Sequence, residues 1–482
     1  MAQFTFAPAA CRLALALGGL SVSLIAGAPR AFAALDAAGS WSSENLSSHP
    51  SEPRAEESQQ APWNLWQSHI DSTAQQSLLE DSEKRIPELF GVPDPIRSQV
   101  TFWLDVYTRY SSREAILFDE EHPEIVYEVV DFRNLARTSR NRAAYEIVSR
   151  QVLRERVQAY QKAFLALKKK KKNRSREESQ ILSVVRGLPH SHNWLELKKN
   201  LRVQWGQRDQ VIQGLLASAP YRQRMDHVFE AMGLPKELTL LSLVESSFNP
   251  KALSHAGAAG VWQFMPDSGA EFLRVLESQG IDERVSPIKS TVAAARLLQR
   301  NFKMLGSWPA AISAYNHGHG KWVPVPRAER LAPGRVLAQC SKSRRLPTKL
   351  GFASRNYYAE FLALLRAERY QHKVFGPPPH ASGQSVRFVA VGETSRLESL
   401  AEAHGLAPHQ LLSLNPDILA ANAPIPSGFL LAVPALEDDL ASVIQASRQR
   451  EREFRASRSP SRAARRSALQ AQAAANARGR RG

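Results

Sequence analysis

The chain has 482 residues, 43% hydrophobic and 23% charged, enough apolar material for two or three packed units. A formal net charge of +17 points to an anionic partner or surface and carries no information about fold. The only cysteines are Cys11 and Cys340, which excludes a disulfide framework and a Cys-based zinc site.

Residues 1–33 read as an export signal. An apolar run, Leu13 to Ala28, precedes Ala31-Phe32-Ala33, which offers small residues where a signal peptidase cuts, so cleavage is expected near Ala33. Retention of the run as a membrane anchor is the alternative. Cys11 lies before the apolar run, which does not suit a lipoprotein. Residues 34–84, rich in Ser, Glu, Gln and Ala, are expected to be a disordered leader. Residues 85–204 form an accessory region, mostly helical with some β-structure. Phe102, Trp103, Val106 and Tyr107 have helical spacing. The runs 115–118 and 125–130, separated by a segment containing Pro123, predict a hairpin. Residues 139–167 predict one long charged helix. The lysine run Lys168 to Lys172 is read as a solvated helix end or loop. It lacks the interleaved aromatics of a single-strand binder, so no nucleic-acid partner is expected.

From Val211 to Arg366 the pattern is helical almost throughout. Pro235 suits a first helical turn and Asn249-Pro250 ends that helix. Leu234, Leu238, Leu241, Glu245 and Phe248 are spaced four, three, four and three apart, which puts Glu245 on an apolar stripe. A carboxyl group buried without a partner tends to stay protonated near neutral pH. That is the state needed to protonate a glycosidic oxygen. A buried Glu that caps a backbone group or pairs with an Arg explains the helix equally well. Further on, Ser254 to Gly260 is a run of small residues that lets backbone approach a ligand. Trp262 and Gln263 then offer an aromatic face for a sugar ring and an amide for its polar substituents. Ala314-Tyr315-Asn316 follows, then His317-Gly318-His319-Gly320.

In this order and spacing, Glu245-Ser246, Gly260-Val261-Trp262-Gln263, Ala314-Tyr315-Asn316 and the segment Gly351 to Tyr357 resemble the soluble lytic transglycosylase domain of the lysozyme superfamily. The likeness is greatest to the D-type membrane-bound lytic murein transglycosylases and covers roughly residues 205–372. Two positions depart from the family. His317 stands where Ala is usual, placing an imidazole near the cleft, and Ser286-Pro287 replaces Asp-Pro, a change that preserves an N-cap residue.

The resemblance implies a mainly α fold: a lysozyme-like catalytic domain over 205–376, with an α+β region before it. It implies peptidoglycan glycan strands as substrate, cleaved with Glu245 as the single catalytic acid. Ser246, Trp262, Gln263, Tyr315, Asn316 and Tyr357 are implied to bind substrate or support catalysis. No cofactor or metal is implied, and His255, His317 and His319 lack a carboxylate partner at ligand spacing. A muramidase-type hydrolase on the same fold and a non-catalytic wall-binding protein are the alternatives. The implied location is the periplasm or cell envelope, with membrane association open, and the chain is expected to be a monomer.

Pro377-Pro378-Pro379 predicts a stiff linker to a small separate module, residues 384–435. Its strand-helix-helix-strand pattern, with Gly392-Glu393-Thr394 and Leu414-Asn415-Pro416, resembles LysM, which binds N-acetylglucosamine-containing glycans. The stretch before Pro426 is longer than in that family. Residues 436–482 are expected to be a disordered basic tail. From 446 onward it carries eleven Arg and two Glu and suits an anionic wall or membrane surface.

Overall fold

The computed structural model describes residues 72–169, 173–186, 193–338, 350–376 and 383–458. The expected export signal, Lys170 to Lys172, both cysteines, the triple-proline linker and residues 459–482 lie outside the described residues. Only the longer helices are labelled below.

The first helix, α1 (Ser72–Leu79), falls inside the stretch expected to be a disordered leader. Its polar composition hides the pair Leu78-Leu79, which buries in the main core. Just beyond it, Tyr370 donates to Asp81 and accepts from the backbone N–H of Glu83. In α2 (Arg97–Thr108) the expected face, including Phe102, Trp103, Val106 and Tyr107, is buried.

The predicted hairpin is present as β1 (Glu114–Asp119) and β2 (Val126–Asp131), paired antiparallel. The long helix of the accessory region is α3 (Arg142–Ala166). A third strand, β3 (Leu201–Trp205), pairs with the other edge of β1, giving the order β2-β1-β3. Its five residues follow a basic helix and gave no alternation long enough to read. β1 is buried on both faces. Ala115 and Leu117 join a satellite core with Leu153, Val157 and Phe164 of α3, whereas Ile116 and Phe118 point into the main core. The period of two lets one strand act as a wall between the accessory layer and the helical body.

The body follows with α4 (Arg208–Ala231), α5 (Leu241–Ser246), the two-residue strands β4 (Val275–Leu276) and β5 (Ile281–Asp282), α6 (Pro287–Leu305) and α7 (Trp308–His317). Ser286 occupies the N-cap of α6, but its side chain makes no capping bond and Pro287 sets the first turn. At the centre runs α8 (Phe352–Arg369), buried at every residue from Ser354 to Ala367. It packs on α2, α5 and α7. Its buried charges find partners, Arg355 in Glu121 and Arg366 in the carbonyls of Leu79 and Phe90. Among the described residues no helix is long and apolar enough to cross a membrane.

The C-terminal segment has the expected order: β6 (Val386–Ala390), α9 (Leu397–Ala403), α10 (Pro408–Leu414) and β7 (Leu430–Pro434), with β6 and β7 antiparallel. It is not separate. Val386, Phe388 and Ala432 belong to the main core. Lys289 of α6 donates to Asp417 at 2.6 Å, their side chains 2% and 1% exposed, and lies 3.4 Å from Glu283. Its ammonium also sits 3.8 Å from the centre of the Phe429 ring. Backbone bonds from Asp282 to Asp417 and from Leu419 to Gly280 complete the seam. The expected disordered tail is corrected in part as well. α11 (Ala441–Arg458) is helical and packs on α6, burying Val443, pairing Glu451 with Arg296 and placing Arg450 2.7 Å from Glu283. Val443, Ile444 and Glu451 face the body while Glu453 stays exposed, an arrangement that a composition count does not reveal.

Lys289 and Asp417 are both withdrawn from water, and removing Lys289 takes away the ion partner of Asp417, whereas removing Asp417 still leaves Lys289 beside Glu283. Lys289→Met should cost about 3–5 kcal/mol of stability and Asp417→Ala less, whereas the paired change Lys289→Met with Asp417→Leu should recover most of the loss. Denaturant unfolding of the three proteins checks this.

Candidate active site

The segment after Pro235 begins as a 3-10 turn, Lys236–Leu240, and tightens into the short helix α5. The expected continuation to Asn249 does not occur. Ser247 and Phe248 both adopt left-handed backbone, with φ of 50° and 55°, and end the helix at Ser246. Gly214 of α4 makes room for this turn: a Cβ there would lie 2.8 Å from the carbonyl oxygen of Ser247. The apolar stripe is otherwise as read, with Leu234, Leu238, Leu241 and Phe248 in the core and Glu245 only 9% exposed.

The hydroxyl of Tyr357, on α8, donates to Oε1 of Glu245. Tyr315, near the end of α7, donates to the backbone carbonyl of Trp262 at 2.9 Å. Burial pushes the Tyr315 phenol well above its ordinary pKa, and the charge of Glu245 adds to the effect. Tyr315 therefore remains a neutral hydrogen-bond donor. The hydroxyl of Ser246 is shared between the carbonyls of Val261, at 3.0 Å, and Ser242, at 3.2 Å, and accepts from the N–H of Asn249. It ties the end of the acid-bearing helix to the following loop.

That loop returns on itself through backbone bonds from Gly260 to Ala252 and from Ala259 to Phe264. Gly260 has φ of 75°, and a Cβ on it would fall 2.0 Å from the carbonyl oxygen of Arg284, so only glycine fits. Gln263 also has a left-handed backbone, with φ of 49°. Its side-chain amide donates to Gly260 at 2.9 Å, stiffening the loop from within. Ser247, Phe248 and Gln263 are three of the five non-glycine residues with positive φ among the described residues. Strain of this kind persists only where the surroundings hold it, and it gathers at functional sites.

Two expectations are corrected here. Trp262 offers no aromatic face to a ligand. Its side chain is fully buried, donates to Thr291 at 2.8 Å and stacks on Phe229. A large apolar ring between α4 and α6 gains more from the core than from the cleft, and its part in the site is the carbonyl that receives Tyr315. His317 is not an imidazole facing the cleft either. It is buried, stacks on Trp322, and neither ring nitrogen has a hydrogen-bond partner among the described residues. Burial, aided by the charge of Lys321, holds its pKa down at about 3. Asn316 is also buried, its carbonyl oxygen accepting from Ser354 of α8.

The structure thus gathers Glu245, Ser246, Tyr315 and Tyr357 with the Gly260–Gln263 loop into one wall, and puts Asn316 behind it. Three residues not singled out in the sequence support it: Thr291, Ser354 and Arg284. Arg284, almost fully buried, donates to the carbonyls of Gly257, at 2.7 Å, and Phe264, at 3.2 Å, while paired with Asp282. A lone Arg carries no local signal of such a role. Of the nearby acids, Glu271 is paired with Arg300. Among the described residues no group of three or more His, Cys, Asp or Glu is placed to hold a metal. Chemically, the arrangement is a buried carboxyl hydrogen-bonded by a phenol on a wall tied together by backbone and side-chain bonds.

Residues 230–329 match the family described as Transglycosylase SLT domain. Over 205 residues the chain is 28% identical to membrane-bound lytic murein transglycosylase D of Escherichia coli (strain K12), covering 42% of this chain and 43% of that protein. The protein of the same name in Escherichia coli O6:H1 (strain CFT073) gives the same figures. The chain spans less than half the length of these relatives.

The buried His317 generates a pH prediction. Its folded pKa of about 3 lies below the ordinary 6.5. As pH falls from about 6.5 towards 3, the unfolded chain takes up a proton that the folded chain refuses, so stability declines across that window. Full titration corresponds to roughly 4–5 kcal/mol. His317→Phe should show a shallower loss of unfolding free energy between pH 7 and pH 4 than the parent protein. Parallel slopes would remove His317 as the cause.

Proposed function

We propose that this protein is a peptidoglycan lytic transglycosylase that cuts the β-1,4 bond between N-acetylmuramic acid and N-acetylglucosamine and leaves a 1,6-anhydromuramyl end. The observation that carries the reading is the buried carboxyl of Glu245, hydrogen-bonded by Tyr357 and lying within the residues that match the transglycosylase family.

In this mechanism protonated Glu245 donates to the bridging oxygen, and the bond from the muramyl anomeric carbon to that oxygen breaks. The oxocarbenium-like centre is assisted by the substrate's own acetamido group. Glu245, now a carboxylate, takes the proton of the muramyl 6-hydroxyl. The freed oxygen closes on the anomeric carbon and restores the acid. No water is consumed and no second carboxylate is used, unlike the two-carboxylate hydrolases. Tyr357 orients the acid. Tyr315 fixes the loop beside it through the Trp262 carbonyl, Ser246 joins that loop to α5, and Gln263 and Asn316 shape the wall.

The activity places the protein in the cell envelope, where an export signal at 1–33 would deliver it. The docked β-α-α-β segment is read as a LysM-like glycan-binding module, supported by its element order. The basic residues from Arg448 onward are read as holding the enzyme near anionic wall or membrane. Hydrogen exchange with N-acetylglucosamine oligomers tests the module: protection should extend to 386–434, and its restriction to the Glu245 region would remove the module from the reading.

The central test is mass spectrometry of fragments released from purified sacculi. Anhydro ends are expected, and free reducing ends would identify a muramidase-type hydrolase instead. Glu245→Gln keeps the shape and removes the titrating proton, so it should lower turnover by at least roughly 10²-fold while sacculus binding persists. Full activity in that variant would dismiss Glu245 as the acid.

A further inference from the structure

The accessory layer touches the active site through one short stretch of α8. Phe352, Arg355 and Asn356 lie on one side of its first turns, while Ser354 and Tyr357 lie on the other, as a period of 3.6 requires. The second side serves the site: Ser354 donates to Asn316, and Tyr357 meets Glu245. The first side is held by the accessory layer. Arg355 donates with both terminal nitrogens to the carboxylate of Glu121, at 3.0 and 3.1 Å, the side chains 2% and 7% exposed. Trp103 of α2 donates to Asn356 at 2.9 Å. The guanidinium of Arg202, on β3, lies 4.8 Å from the centre of the Phe352 ring and pairs with Glu120.

Glu121 itself sits on an organised turn. Asp119, fully buried at the end of β1, accepts from the backbone N–H groups of Glu121 and His122 and from Asn200. The β1–β2 connection therefore reaches α8 as a fixed arm rather than a loose loop. A bidentate guanidinium–carboxylate pair constrains angle as well as distance, and Arg355 is only two residues from the phenol that contacts the acid.

We propose that Glu121 is a positioning residue for catalysis: through Arg355 it sets the rotation of the start of α8, and so the alignment of the Tyr357 hydroxyl on Glu245. This gives the accessory region a role in the chemical step, and it rests on the function proposed above. Misplacement of a catalytic group by about 1 Å can cost on the order of 10²-fold, so small rotations are enough to matter.

The test uses the full chain with Glu121→Gln, Glu121→Ala and Arg355→Lys, and Tyr357→Phe as reference. Two readouts are taken: kcat and KM for release of anhydro product, and titration of the Glu245 carboxyl by isotope-edited infrared spectroscopy, assigned by its loss in Glu245→Gln. Glu121→Gln and Arg355→Lys should lower kcat by about tenfold or more with KM within about twofold. Both should move the Glu245 titration midpoint in the direction that Tyr357→Phe moves it. Glu121→Ala should act in the same sense and more strongly. A folded Glu121→Gln protein with parental kcat and an unmoved Glu245 midpoint overturns the proposal. Failure of every Glu121 and Arg355 variant to fold would assign the pair to stability alone and overturn it too. Should the parent protein release no anhydro product, the functional reading falls, while the infrared comparison still decides whether Glu121 positions the Tyr357–Glu245 contact.

Discussion

The hydrogen bond between Tyr357 and Glu245 joins residues 112 apart in sequence, and most of the architecture bears on it. A general acid must be withdrawn from water enough to hold its proton yet remain at a surface where a polymer can reach it. Glu245 lies, 9% exposed, at the last turn of a very short helix whose other stripe members are core residues. Stopping that helix requires two left-handed residues and a glycine on α4 to clear them. Presenting the phenol requires α8 to pass through the middle of the protein, buried along almost its whole length. The price of a rigid acid is therefore distributed over the body instead of being met locally.

The same economy explains why so many polar groups of the site point inwards. Ser246, Gln263 and Asn316 spend hydrogen bonds on backbone or on a neighbouring helix. Arg284 grips two carbonyls of the loop from behind. A preorganised wall spares the reorganisation that a mobile one would need on meeting a ligand. The accessory sheet continues this logic outward, since β1 has one face in its own small core and the other in the main one.

The C-terminal segment alters the picture of a catalytic domain with a tethered module. Lys289, Asp417 and Glu283 form a buried seam, and α11 straps across α6 through Arg296–Glu451 and Arg450–Glu283. If the segment binds glycan, its binding face is presented at a set orientation to the cleft, and the strand is not searched for by a free domain. Charge that looks like an unstructured polycation in composition serves partly as specific ion pairing in the fold.

Much was legible in the sequence wherever the information is local. The hairpin of β1 and β2, the long α3, the apolar stripe bearing Glu245 and the β-α-α-β order of residues 386–434 all follow from periodicity and turn residues. The candidate set Glu245, Ser246, Tyr315 and Tyr357 was legible through its motifs, because residue types and order can be read without any knowledge of contacts. What periodicity does not carry is which face of a residue is used. Trp262 taken alone reads more often as core, the motif makes it a candidate sugar platform, and the packing of α4 and α6 around it decides for core. His317 reads as a cleft residue until the end of α7 turns it onto Trp322. The helices at 72–79 and 441–458 hide in polar composition, because one or two anchors such as Leu78-Leu79 or Val443 hold a segment only when a partner surface exists for them. Sequence alone determined many of the element types and the apolar stripe that carries Glu245, since these depend on neighbours within a few residues. Only the tertiary structure decided burial, pairing and docking, since these depend on which distant surface each side chain meets.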